Sequence, residues 1–341
     1  MSFVERTIRF AESAPLPDFL LRSGIFALVD RTRRMLATKP ASFEEAFSRE
    51  MDRFPVAEHA DAANEQHYEV PAEFFALVLG PRRKYSSCLY LKPEQTLEGA
   101  EIDALSETVK HAALENGQRI LELGCGWGSL SLFMAERYPN ADITSVSNSA
   151  SQRAYIEGEA ARKGLKNLRV ITADMNAFQP EGQFDRVVSV EMFEHMANWQ
   201  ALLSRIRGWL KPDGKLFIHI FTHKAQPYRF DRNDKSDWIA QHFFTGGIMP
   251  SHGLIRQFPD LFRVEKEWKW SGWHYRRTAE HWLENMDRNE AAVKEIFRGV
   301  YGDAAGLWIN RWRLFFLATS GLFGYDNGRE WGVSHYLLRV A

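Results

Sequence analysis

The sequence has few cysteines, no long apolar run and no excess of one charge. Its 341 residues include two cysteines, Cys88 and Cys125, which are too few for a disulfide framework and badly spaced for a zinc cluster. The sequence contains no run of about 18 apolar residues, so we expect no membrane-spanning helix. The N-terminus has no apolar segment typical of a secretory signal. We therefore expect a protein of the reducing cytoplasm.

The charge balance excludes another class of partner. Lys and Arg total 43 and Asp and Glu total 44, which gives a net charge of −1. No global basic field is therefore present to attract nucleic acid or an anionic membrane. Hydrophobic residues make up 45% of the chain, enough for a full core in one large or two ordinary domains.

Apolar strands and amphipathic helices alternate through the middle of the chain. The segments predicted as strands are 119–123, 142–147, 168–172, 184–190 and 215–221, with two more at 264–270 and 334–340. Helices are predicted between them at 130–137, 151–163 and 199–209. Short apolar strands that alternate with helices predict a doubly wound, mostly parallel sheet with helices on both faces.

Helical patterns also precede and follow this region. Residues 1–65 predict an N-terminal helical segment, and a polar connector follows at 61–70. The main domain is predicted to cover 66–341, with a helical cap inserted at about 272–330 between the last two strands. Such a cap would lie over the carboxyl ends of the strands, where ligands of open α/β sheets bind.

A glycine-rich turn follows the first strand. Gly124, Gly126 and Gly128 stand at alternate positions, so the G-x-G-x-x-G dinucleotide fingerprint is not met. Glu122 is acidic where a phosphate would want no negative charge, which favours a positively charged ligand such as S-adenosylmethionine. A tight turn that binds no ligand is the alternative.

Polar residues at the ends of the next two strands complete the predicted cofactor site. Ser147, Asn148 and Gln152 follow the second strand, where nucleotide sites often have an acidic residue to hold the ribose. Asp174 follows the third strand and could accept from an adenine amino group, with Met175 beside the ring. An ordinary helix cap explains Asp174 as well.

The strongest chemical signal is the group Glu191, Glu194 and His195, directly after the fourth strand. Two carboxylates and an imidazole at a strand end predict general acid–base catalysis. Negative charge at a helix start is the structural alternative. A metal site is disfavoured because one histidine with two carboxylates falls short of the usual ligand set.

Methyl transfer to an amine would use such a group. The nucleophile and the methyl carbon must be held about 3–3.5 Å apart, and the amine needs a free lone pair. An alkyl ammonium has a pKa near ~10, so a carboxylate would orient the cation while a histidine takes its proton. Aromatic faces would also hold a cation.

These residues resemble the cyclopropane fatty acid synthase superfamily of S-adenosylmethionine-dependent transferases, in particular its coclaurine N-methyltransferase branch. The resemblance covers about residues 65–341. Its specific points are Tyr85-Ser86-Ser87-Cys88, the turn Leu123–Ser129, Glu191 with Phe193-Glu194-His195-Met196, Asp237-Trp238 and Phe323–Gly328.

The resemblance implies a class I methyltransferase, Rossmann-like, that methylates the nitrogen of a small aromatic amine. It implies that Glu191, Glu194 and His195 contact the amine, that His195 or Glu194 receives its proton, and that Tyr85 and Ser86 contact the cofactor. Implied partners are the amine alone, with no nucleic acid, in a monomer or a homodimer.

A lipid-modifying transferase with peripheral membrane contact is the alternative. The lipid cyclopropane synthases resemble this chain at Cys88 and Glu194, which there help to hold a bicarbonate. By sequence alignment Ile220 and Leu283 stand in place of the other two ligands, with His219 one position away. This departure favours methyl transfer without bicarbonate.

Aromatic and histidine residues of the second half, together with Cys88, are candidates for a substrate pocket. Core packing explains each of the second-half residues equally well. They are His219, His223, Tyr228, Trp238, Phe243, Phe244, Trp273, His274, Trp331 and His335.

Overall fold

The computed structural model describes residues 3–14, 16–58, 70–234 and 237–341. The predicted connector at 61–70 falls almost wholly outside these residues. The strands of the main sheet are β1 (Arg119–Leu123), β2 (Asp142–Ser147), β3 (Leu168–Thr172), β4 (Phe184–Val190), β5 (Leu210–His223), β8 (Phe262–Ser271) and β9 (Trp331–Val340). Two short strands, β6 (Tyr228–Arg229) and β7 (Ile248–Met249), pair with each other.

The seven-stranded sheet has the order β3-β2-β1-β4-β5-β9-β8. Strands β1 to β5 run parallel, whereas β9 runs antiparallel to both β5 and β8. This confirms the predicted mostly parallel sheet. Because β2 and β4 lie on opposite sides of β1, the chain connections diverge there, and the crevice beyond the carboxyl ends of β1 and β4 is the expected place for a ligand.

Helices cover both faces of the sheet. They are α4 (Ala72–Val78), α5 (Leu97–His111), α6 (Ser129–Arg137), α7 (Ala150–Arg162), α8 (Trp199–Trp209) and the short α9 (Trp238–His242). Local signals explain several starts: the Ser149 hydroxyl accepts from the Gln152 N–H at the start of α7, and the Asn198 side chain accepts from the Ala201 N–H at the start of α8.

Three helices lie between β8 and β9, and we refer to them as the cap. It consists of α10 (Gly272–Arg288), α11 (Glu290–Tyr301) and α12 (Ala305–Gly324). The first of these helices begins at Gly272, where the Ser271 side chain caps it by accepting from the Trp273 N–H. Trp282, Trp312 and Phe316 are fully buried within this cap.

The N-terminal helices α1 (Phe3–Ser13), α2 (Asp18–Ala37) and α3 (Phe43–Glu50) pack on the rest of the chain. Ile25, Val29 and Leu36 of α2 join the apolar cluster of the cap. Arg22 makes two hydrogen bonds to the Glu280 carboxylate, at 2.6 and 2.7 Å. None of the described helices is both long and apolar enough to span a bilayer.

Candidate active site

The glycine turn lies between β1 and α6. Gly124 and Gly126 have φ values of +76° and +50°, a left-handed conformation that favours glycine. A Cβ at Gly124 would lie 2.6 Å from Cβ of Met192, whereas a Cβ at Gly126 would meet no atom within 4 Å. Gly126 is therefore the point where a ligand can approach the backbone.

A cleft opens over this turn, at the crevice between β1 and β4. It brings together most of the predicted cofactor residues and His195. Its lining includes Gly124, Gly126, Ser147, Asn148, Gln152, Asp174, Met175, Met192 and His195. The Ser147 hydroxyl donates to Oε1 of Gln152 at 2.7 Å, and Oδ1 of Asp174 accepts from the Asn176 N–H at 2.8 Å.

This cleft fits S-adenosylmethionine. Open space above Gly126 admits a ligand against the backbone, and the first turn of α6 offers N–H groups. Polar side chains line the cleft at the ends of β2 and β3, and the buried Met175 provides an apolar surface.

Glu122 does not line the cleft, contrary to its prediction as a cofactor contact. Its side chain is buried below α6, where it accepts hydrogen bonds from the hydroxyls of Ser131 and Ser145. Burial raises its pKa to about 7. Side chains alternate along a strand, so Glu122 points to the face that α6 covers; it joins α6 to β1 and β2.

Glu191 is the best-anchored carboxylate at the end of β4. Oε1 accepts from the Ser87 N–H at 3.0 Å and lies 3.2 Å from Nε2 of His219, while Oε2 accepts from the Tyr275 hydroxyl at 2.6 Å. Its φ of +45° is rare for a residue other than glycine. Burial raises its pKa, and the nearby Lys84 opposes that shift.

Glu194 is 1% exposed, and its Oε2 has no hydrogen-bond partner among the described residues. Burial first, and then the charge of Glu191, raise its pKa well above the usual value. Next to it, His195 lines the cleft and stacks on Phe244 with ring centroids 5.0 Å apart. A buried carboxyl group without a partner is costly unless a ligand supplies a donor.

A row of aromatic rings runs from Glu191 to His195. Tyr275 stacks on Phe323 at 4.3 Å, Phe323 contacts Phe221 at 6.0 Å, and Phe221 contacts Phe244 at 5.7 Å between ring centroids. These rings come from α10, α12, β5 and the loop after α9. Such faces can attract a cation.

Three of the predicted pocket residues belong instead to the core, because their side chains pack against other parts of the chain. Trp238 donates to Oε1 of Glu12 at 2.8 Å and so holds α1. Phe243 stacks on Phe315 of the cap at 4.3 Å, and Trp331 packs against Tyr325. None of the three lines the cleft.

The loop at 84–88 passes behind Glu191 and does not line the cleft. The ring of Tyr85 packs against Trp282, and the Ser86 hydroxyl accepts from Nζ of Lys84 at 2.5 Å. Cys88 is fully buried, and burial raises the pKa of its thiol to about 12, so it carries no thiolate at neutral pH.

His219, one of the predicted pocket residues, lies against Glu191, whereas sequence reasoning missed two other residues near this carboxylate. Tyr275 and Lys84 were not predicted. Tyr275 lies on the buried face of its helix, together with Ala279 and Trp282. In the sequence this pattern predicts a core position, so it gives no sign that the hydroxyl has a role in the site.

Comparison with known proteins identifies the family. The model of the mycolic acid cyclopropane synthetase family matches residues 57–325. The chain belongs to this family. It is 35% identical over 346 residues to (S)-coclaurine N-methyltransferase of Papaver somniferum, with 98% of each chain covered.

Two further comparisons point to the same branch of the family. (S)-Coclaurine N-methyltransferase of Thalictrum flavum subsp. glaucum is 37% identical over 289 residues, which cover 83% of this chain and 80% of the relative. The crystal structure of a coclaurine N-methyltransferase bound to N-methylheliamine and S-adenosylhomocysteine superposes with a TM-score of 0.95 at 32% identity, covering 99% of this chain and 100% of that one. The predictions of superfamily and branch, of a class I methyltransferase fold and of the methyltransferase class are confirmed.

Proposed function

We propose that this family member transfers a methyl group from S-adenosylmethionine to the nitrogen of a small aromatic amine, with Glu191, Glu194 and His195 binding the amine. The observation that carries the proposal is the unpartnered Oε2 of the buried Glu194. An ammonium N–H would supply the missing hydrogen bond and would offset the charge of the carboxylate.

The cofactor would lie in the cleft over Gly126. Ser147 and Gln152 would bind the ribose hydroxyls, and Asp174 would accept from the adenine amino group beside Met175. When bound there, S-adenosylmethionine supplies an electrophilic methyl group on a positively charged sulfur. Met192 and His195 line this cleft, so His195 would face the amine where the amine meets the methyl group.

The site residues would first bind the amine as a cation. Burial favours the protonated form of Glu194, and an incoming ammonium reverses that preference because opposite charges stabilise each other. The aromatic row of Tyr275, Phe323, Phe221 and Phe244 would hold the organic part of the amine.

The amine must lose a proton before it can attack. Glu194 or His195 would accept this proton, and the stacking of His195 on Phe244 fixes the plane of its imidazole. Positioning and proton transfer together account for the catalysis that such a site can provide.

The relatives support an amine as the acceptor. Their names describe N-methyltransferases of coclaurine, and the solved relative holds N-methylheliamine. The row of buried rings beside two carboxyl groups agrees with a substrate that is both aromatic and cationic.

The test is an assay with isotope-labelled S-adenosylmethionine. One arm offers a panel of secondary and tertiary tetrahydroisoquinolines and phenethylamines, and the other offers vesicles of monounsaturated phosphatidylethanolamine and phosphatidylglycerol. We expect label on the amine nitrogen and none in lipid. Label in the acyl chains, or no transfer to any amine, would overturn the proposal.

A further inference from the structure

A row of three histidines connects Glu191 to the protein surface. Nε2 of His219 lies 3.2 Å from Oε1 of Glu191, and its Nδ1 lies 2.7 Å from Nε2 of His335. Nδ1 of His335 lies 2.8 Å from Nδ1 of His111, and Nε2 of His111 lies 3.1 Å from Oε2 of Glu107. We call these five residues the histidine row.

The fold builds this row from three elements. His219 and His335 stand directly opposite each other in the antiparallel pair of β5 and β9, so their side chains share one face of the sheet. His111 ends α5, and its ring stacks on Trp268 of β8 at 3.8 Å. His219 and His335 are fully buried and His111 is nearly so, whereas the Glu107 side chain is 32% exposed.

The chemistry of imidazole makes the row directional. Burial lowers the pKa of all three histidines, which keeps the rings neutral, and each neutral ring has one donor and one acceptor nitrogen. An ionised Glu107 accepts from Nε2–H of His111, so His111 accepts at Nδ1 from His335. His335 then accepts at Nε2 from Nδ1–H of His219.

This arrangement leaves Nε2 of His219 as an acceptor facing Glu191. The hydrogen bond between them then requires a proton on Oε1 of Glu191. In the reverse arrangement every ring holds its proton on the other nitrogen, Glu191 is ionised and Glu107 is protonated. The two arrangements differ by the passage of one proton along the row.

We propose that the histidine row carries a proton between Glu191 and solvent, so that the charge of Glu191 follows the charge of the bound substrate. This inference depends on the proposed function, because the substrate must be a cation. The row itself is defined by the four contacts above and by its burial.

Each step of the cycle balances in protons. When an ammonium enters, the O–H bond of Glu191 breaks and its proton joins Nε2 of His219, while each ring passes its own N–H proton outward. Glu107 receives the last proton and gives it to water. When the cationic product leaves, the same transfer runs inward and restores the first arrangement, so the row returns to its starting state.

Other charged or titratable groups also face this row. Lys84, Glu194, Tyr275 and Cys88 lie near Glu191, and Lys110 pairs with Glu107 at 3.1 Å. The hydrogen bonds of Lys84 among the described residues go to the Ser86 hydroxyl and the carbonyl of Ser87. In the described part of the chain, the hydrogen-bonded route from Glu191 to a partly exposed carboxylate runs through the three histidines.

The test measures protons released on binding. Protein saturated with S-adenosylhomocysteine is mixed in a stopped-flow instrument with N,N-dimethyl-1,2,3,4-tetrahydroisoquinolinium, in weakly buffered solution near neutral pH containing an indicator dye. This quaternary cation has no proton on nitrogen, so any proton released comes from the protein. We expect a release of up to about one proton per molecule bound.

Glu107→Gln removes the carboxyl group at the outer end of the row, where the side chain is partly exposed. We expect it to slow the release by roughly 100-fold, the lower end of general acid–base effects. His111→Phe keeps the stacking on Trp268 and should act in the same way. Glu98→Gln, on the same helix, is the control and should release protons at the wild-type rate.

The outcomes separate this inference from the proposed function. Binding without proton release, or release from Glu107→Gln at the wild-type rate, overturns the histidine row as a proton path. Failure of the quaternary cation to bind overturns the coupling of Glu191 to a bound cation, whereas the labelled-methyl assay alone decides the proposed function. Binding with proton release but without methyl transfer to any amine overturns the proposed function and leaves the row standing.

Discussion

The Tyr275 hydroxyl donates a 2.6 Å hydrogen bond to Oε2 of Glu191. Tyr275 belongs to the cap and Glu191 follows the central strand β4, so this contact joins the cap to the sheet. It holds Oε2 of Glu191, while His219 lies against Oε1.

Tyr275→Phe tests this contact. The variant keeps the ring that stacks on Phe323 and loses the hydroxyl. We expect methyl transfer to fall by about 10- to 100-fold, and the free energy of unfolding to fall by no more than about 1.5–3 kcal/mol, as for one hydrogen bond to a charged group. Tyr325→Phe, which removes a 2.7 Å hydrogen bond to Asp30 far from the cleft, is the matched control and should keep full activity. Equal kcat in the two variants would contradict the role of Tyr275.

Glu194→Gln and His195→Ala test the acid–base residues. We expect each to lower kcat at least ~100-fold, while the affinity for S-adenosylhomocysteine, measured by calorimetry, stays nearly unchanged. Glu181→Gln, at an exposed carboxyl group, serves as the control. Wild-type turnover in both Glu194→Gln and His195→Ala would remove these residues from the mechanism.

Gly126→Val tests the cofactor site. Its side chain would fill the open space above the turn and would strain a backbone with φ of +50°. We expect calorimetry to detect no binding of S-adenosylhomocysteine. Gly158→Val introduces the same side chain at a helical position where a Cβ meets no atom within 4 Å, and it should bind normally. Retained affinity in Gly126→Val would place the cofactor elsewhere.

Glu122 gives a prediction about stability and pH. Its pKa is about 7 in the folded protein against a usual value of 4.5, so the folded state binds more protons in this window. Its contribution to the free energy of unfolding is complete below pH 4.5 and is lost as the pH rises through 7. This contribution is at most about 3 kcal/mol.

Glu122→Gln removes this titration while an amide can still bond to Ser131 and Ser145. Denaturant unfolding at pH 5 and pH 8 should therefore show a smaller loss of stability in the variant than in the wild type. If the variant lost as much stability between pH 5 and pH 8 as the wild type does, the pH dependence would belong to other groups. One such group is Glu101, whose pKa is also raised to about 7.

Local patterns in the sequence predicted most of the sheet. Strands β1 to β4 have the predicted bounds, because each is a short apolar run between turn residues. The glycine turn and the Glu191–His195 stretch were found for the same reason, since each is contiguous and follows a strand.

Contacts between distant segments could not be predicted in this way. His219, His335 and His111 meet through the register of β5 with β9 and the docking of α5, which no local pattern encodes. Trp238 and Phe243 look like pocket residues in sequence, yet the arrangement of α1 and the cap buries them in the core. Glu122 was misassigned because its charge was considered without the face of the strand it occupies.

The left-handed backbone at Glu191 limits how far this protein can be stabilised. A non-glycine residue in that conformation costs on the order of 1–3 kcal/mol, and glycine at the same position would relieve the cost. Glycine would also delete the carboxyl group that Ser87, His219 and Tyr275 surround. Selection for thermal robustness and selection for turnover therefore pull this one position in opposite directions.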